Sequence, residues 1–74
     1  MNSFTFHSET ADVQVTPLME ALGDKPFLCI VTGNGDLPVE SLSVTAPYPF
    51  IAAQEALDIY KERHALNLSE VWAI

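Results

Sequence analysis

The sequence predicts a small α+β domain: a three- to four-stranded, mainly antiparallel sheet with one long helix packed on one face. Three observations carry this. Residues 47–66, PYPFIAAQEALDIYKERHAL, repeat their apolar positions with a helical period. Residues 26–32, PFLCIVT, form a continuous apolar run rich in β-branched and aromatic side chains, as a central strand requires. Residues 3–8 and 39–46 alternate apolar with polar, the mark of strands buried on one side.

The helix organises the rest. Projected at about 100° per residue, Phe50, Ala53, Ala56, Leu57 and Tyr60 share one face, with Ala52 and Ile59 on its flank. Gln54, Glu55, Asp58, Lys61 and Glu62 fall on the other side. The middle of the apolar face is alanine, so its packing partner comes close, and a sheet surface fits. Pro47 and Pro49 fix the helix start, because a residue before proline is pushed to extended geometry and proline suits the first turn.

The remaining elements follow in order. In SFTFHS, Phe4 and Phe6 point to the core and His7 away from it. ETAD at 9–12 reads as a turn, and Val13 and Val15 extend a short strand. Thr16-Pro17 resembles a helix start, which places a short helix near 17–22 with Leu18, Met19 and Leu22 on its apolar edge and Gly23 closing it. GNGDLP at 33–38 is a hairpin turn and lacks the spacing of a phosphate-binding loop. In VESLSVTA, Leu42, Val44 and Ala46 face inward, and Glu40, Ser41, Ser43 and Thr45 outward. LSEVWAI at 68–74 reads as a last strand in preference to a helical turn.

A chain of 74 residues makes one domain, spanning 1–74. At that length only about 60% of the unfolded surface is buried, so stability is marginal. Ten acidic residues against Lys25, Lys61 and Arg63 give a net charge of −7. That field repels phosphate backbones and anionic membranes and favours a basic protein partner. No signal peptide and no membrane span stand out, and Cys29 is the only cysteine, so a cytoplasmic protein is expected.

No cofactor or metal is expected, and no catalytic activity. His7 and His64 lie at opposite ends of the chain, and neither His7 with Glu9 and Asp12 nor His64 with Glu62 has a metal-ligand spacing. Cys29 sits in an apolar strand with no basic neighbour to activate it. The most specific feature is on the outer helix face. Glu55, Asp58 and Glu62 form a stripe whose like charges oppose one another, with Ile51 on the same line. That stripe is a candidate docking site for a basic partner, with Ile51 as its apolar contact and Tyr48, between two prolines, as a further one. Trp72 is the candidate oligomer contact, and an exposed sheet edge is open to a second copy in a homodimer.

In size, acidity and lack of motifs the chain is similar to small phage or mobile-element inhibitors, including anti-CRISPR proteins and other nucleic-acid mimics. The likeness is one of character and carries over no residues. It makes the expected function a small acidic, non-catalytic domain that modulates or inhibits a basic partner. The alternative is a homo-oligomeric assembly subunit, with a small enzyme or ligand-binding module behind both.

Overall fold

The computed structural model describes residues 3–35, 37–64 and 72–73, the last two by backbone alone. Strands β1 (Phe4–Ser8), β2 (Ala11–Pro17), β3 (Lys25–Gly33) and β4 (Val39–Ala46) precede helix α1 (Pro49–Arg63), and β5 (Trp72–Ala73) follows it. The sheet order is β4-β3-β2-β1-β5, antiparallel at every pairing. The α+β class, the antiparallel sheet and the long helix packed on one face match the expectation, and the two-residue β5 brings the sheet to five strands where three or four were expected. Of the expected strand at 68–74, Trp72–Ala73 pair with β1; the rest of that segment and the Trp72 side chain lie outside the described residues.

Alternation along each strand builds the core. Ala11, Val13 and Val15 of β2, Phe27, Cys29 and Val31 of β3, and Leu42, Val44 and Ala46 of β4 all turn to one face and are buried. Helix α1 covers them with Ala52, Ala53, Ala56, Leu57 and Tyr60. The Cys29 Sγ lies 3.8 Å from the Ala52 carbonyl oxygen, a measure of how near the alanines bring the two layers. The opposite sheet face is open and almost uncharged. Thr5, Gln14, Thr32, Ser41, Ser43 and Thr45 are exposed on it, around half-buried Leu28 and Ile30.

The helix starts as its prolines dictate. Tyr48 is extended (φ −135°, ψ 151°), Pro49 opens the first turn, and the Ala52 N–H donates to the Tyr48 carbonyl. Lys61 and Arg63 occupy the last turn, where cations complement the helix dipole.

Several expectations are corrected. Phe4 does not reach the core and is 42% exposed. The turn expected over 9–12 is shorter, because Ala11 and Asp12 already belong to β2. No helix forms near 17–22. Pro17 is the last residue of β2, opposite Phe27, and the Leu18 N–H donates to the Pro26 carbonyl, so the ladder claims the residues that would nucleate the turn. A segment this short cannot hold a helix without tertiary contacts, and Leu22 finds none, at 101% exposure. Glu40 does not point outward; it shares the parity of Leu42 and Val44 and lies on the helix face. Lys61 is not on the polar side; it is one turn beyond Leu57 and is 2% exposed, its aliphatic stem following the buried arc. Phe50 does not enter the core; it is 41% exposed, its ring meeting Phe6 of β1 edge-on at 5.5 Å.

Gly33 marks the tightest approach between hairpin and helix. A Cβ there would collide with the Tyr60 hydroxyl and with the Leu37 side chain. Gly33→Ala is therefore expected to lower the unfolding free energy by about 1–3 kcal/mol. Adding Tyr60→Phe removes one of the colliding atoms, so the double variant should lose less than the sum of the singles. Chemical denaturation of the four proteins checks this, and strict additivity would mean the hydroxyl is not what the methyl meets.

Candidate functional site

The outer face of α1 presents Glu55, Asp58 and Glu62 to solvent. One helical turn separates neighbouring members, so the carboxylates form a single row about 10 Å long. Ile51 does not belong to that row as an exposed contact: it is half-buried and packs against the core. The stripe is thus carboxylate alone. Tyr48 is 67% exposed at the helix start.

A second surface emerges that the sequence did not signal as one unit. The register aligns the start of β1, the end of β2, the start of β3 and the end of β4, and the last leads straight into α1. At this shared end Phe4, Leu18, Met19, Leu22, Tyr48 and Phe50 all stand exposed. Among the described residues the other exposed large apolar side chains are Val39 and Ile59. Glu20 and Asp24 are exposed in the same β2–β3 loop. Lys25 is engaged internally: its Nζ donates to the Gly23 and Pro47 carbonyls, each at 3.1 Å, and sits over the Phe27 ring. The loop is thereby tied to the helix start, and the charges left facing out beside the apolar side chains are negative. The sequence carries no local signal for this surface, because its residues are scattered along the chain and the 18–24 loop has the composition of a short helix.

The opposite end is stitched by polar contacts. The Glu40 carboxylate accepts from Arg63 Nη1 at 3.3 Å and pairs with His64 Nε2 at 3.1 Å. The His64 ring tilts against Tyr60, and the Tyr60 hydroxyl donates to the Pro38 carbonyl. Asn34 ties its turn to the neighbouring one through the Glu9 and Thr10 carbonyls. These contacts join strand, hairpin and helix end, and both Glu40 oxygens are occupied by its two partners. Across β1 and β2 the exposed His7 and Asp12 pair at 2.9 Å. Among the described residues no group of three His, Cys, Asp or Glu could hold a metal ion, and no helix is long and apolar enough to cross a membrane.

Cys29 is a poor nucleophile. Burial, reinforced by the negative charge of Glu55, pushes its thiol up to about 11 from 9.0. Burial and then the Glu40 charge raise Tyr60 above 10.0. In both cases the folded protein keeps a proton that the unfolded chain loses. Their contribution to stability is intact below about pH 9 and is lost as pH rises, through 9 to 11 for Cys29 and above 10 for Tyr60. The urea midpoint is expected to fall over that range, with Cys29→Ala and Tyr60→Phe each flattening the fall. At neutral pH the folded thiol should react with a disulfide reagent at least about 100-fold more slowly than in denaturant, since a shift of two units leaves about 100-fold less thiolate. Rapid labelling of the native protein would contradict the burial.

No family model matches the chain, and no curated protein or solved structure shows significant similarity to it.

Proposed function

We propose that this chain is a non-catalytic, acidic protein-binding domain that modulates or inhibits a basic partner protein. The observation that carries the reading is the apolar end. Phe4, Leu18, Met19, Leu22, Tyr48 and Phe50 are left in water by a chain that is otherwise able to bury its alternating side chains. Exposed apolar clusters flanked by charge are the form taken by protein-binding surfaces. The flanking charge, Glu20 and Asp24, and the net charge of −7 set the sign of the partner.

The Glu55, Asp58 and Glu62 row supports the same sign from another face. Exposed charges act mainly on the rate of encounter, whereas desolvated apolar anchors hold a complex together. The row steers and the apolar end grips. A row of carboxylates is also how a protein imitates a phosphate backbone, so a nucleic-acid-binding protein is the partner class this reading favours, as for phage inhibitors. Such a role places the domain in the cytoplasm, where its single free thiol, Cys29, stays reduced.

Affinity capture at low and high salt tests the proposal. Wild type should retain basic proteins, less strongly as salt rises. Leu18→Ser with Leu22→Ser should weaken capture of the same proteins by at least about tenfold, each anchor contributing about 1 kcal/mol or more. Reversing Glu55, Asp58 and Glu62 to Lys should abolish the salt-sensitive part while the circular dichroism spectrum is unchanged. An identical protein set on wild type and on both variants would sink the proposal.

A further inference from the structure

Among the described residues, the strand at one edge of the sheet, β4, lacks the usual protections. Natural edge strands are kept from pairing with other chains by shortness, proline, bulges or charge. Strand β4 is 8 residues long, and its pairing with β3 runs without a bulge. Proline occurs only outside it, at Pro38 and Pro47, and its one charge, Glu40, is turned to the helix face and held by Arg63 and His64. The far edge, by contrast, is covered in part by β5, which pairs with His7 and Ser8 of β1.

The ladder shows which backbone groups are open. The Leu18 N–H to Pro26 bond and the Asn34 N–H to Thr10 bond stand at the two ends of the β2–β3 ladder. They fix the even-numbered residues of β3 as those bonded to β2. Alternation then turns Phe27, Cys29 and Val31 toward β4, opposite Val44, Leu42 and Glu40. Val39, Ser41, Ser43 and Thr45 are left with their N–H and C=O groups directed away from the sheet.

We propose that β4 pairs antiparallel with β4 of a second copy, joining two sheets into one across a two-fold axis at Leu42. A second copy fits for a chemical reason. In a protein with ten acidic residues, the side chains beside these open groups are Val, Ser, Ser and Thr, so the edge offers nothing to a basic partner. Against itself it is compatible: Ser41 and Ser43 set hydroxyl against hydroxyl on the open face, and Leu42 meets its own copy on the helix face, as a two-fold interface requires. Proline excludes one neighbouring register. Centring on Leu42 sets Ser41 against Ser43 and Val39 against Thr45 of the second copy, and every open donor is used. Centring on Ser43 would set Val39 against Pro47, which has no N–H. Glu40 then faces Val44 of the other copy and meets no like charge. Helix α1 packs on β2, β3 and β4, so the two helices lie about three strand spacings, or about 14 Å, apart, which exceeds the 8–10 Å of packed helices.

Sedimentation velocity over a wide concentration range reads the association, and wild type should pass from one chain to two. Ser43→Pro removes an outward N–H and should leave a monomer with an unchanged circular dichroism spectrum. Ser41→Cys with Ser43→Cys places two thiols opposite each other across the junction, and mild oxidation should yield a covalent dimer on a non-reducing gel. A wild type that stays monomeric at millimolar concentration, or a dimer that Ser43→Pro leaves intact, overturns the proposal. Should the proline variant fail to fold, the cysteine pair decides: absence of the covalent dimer overturns it equally.

Discussion

The contact between the alanine face of α1 and the alternating sheet face is the constraint on which everything else depends. Ala52, Ala53 and Ala56 are fully buried, as are Val13, Val15, Phe27, Cys29 and Val31 beneath them. Small side chains let the helix settle low enough for backbone and thiol to approach. That seating fixes the rotation of the helix about its axis. Once it is fixed, Glu55, Asp58 and Glu62 must face solvent, Tyr60 must reach the hairpin, and Lys61 must lie along the buried arc. A larger residue at Ala53 or Ala56 would lift the helix and expose part of every strand at once, which a domain of this size has little stability to absorb.

Periodicity made most of this fold legible. The alternation over 39–46 and the helical period over 50–60 mark elements that burial then enforces, and the continuous apolar run marks the central strand. Where the reading failed, a neighbour in space outweighed the local pattern. Thr16-Pro17 has the chemistry of a helix start, but the β2–β3 ladder extends through Leu18 and uses those residues first. Glu40 was placed by its polarity, whereas strand parity is stricter than polarity and Arg63 and His64 make its inward position tolerable. Ile51 lies on the outer line of the helical projection yet packs on the core at the first turn, so a projection alone assigned it to the wrong surface. The apolar end was the least legible, because register and connectivity, not spacing, bring Phe4, Leu18, Leu22 and Tyr48 to one place.

The placement of the cations sharpens the electrostatic picture. The chain has 3 Lys and Arg residues. Lys25 binds two backbone carbonyls, Arg63 pairs with Glu40, and Lys61 is withdrawn from solvent. Each cation therefore has a partner or a place within the fold, with the Arg63 side chain still 55% exposed beside Glu40. The field a partner meets is that of a net charge of −7, and it reaches about 8 Å at physiological ionic strength.

Acidic surface and neutral edge then divide the work. Charge of one sign keeps identical molecules apart, and a self-pairing strand survives in such a protein only where charge is missing. The edge of β4 is that place. Antiparallel pairing keeps opposed residues on the same side of the sheet, so both helices in the paired form lie on one face and both carboxylate rows point the same way. A basic partner that engages one row then finds the second held nearby at high effective concentration, and binding strengthens with no new contact chemistry. Self-pairing and acidity act together: the strand whose outward edge carries no charge sets the spacing at which two acidic rows are offered.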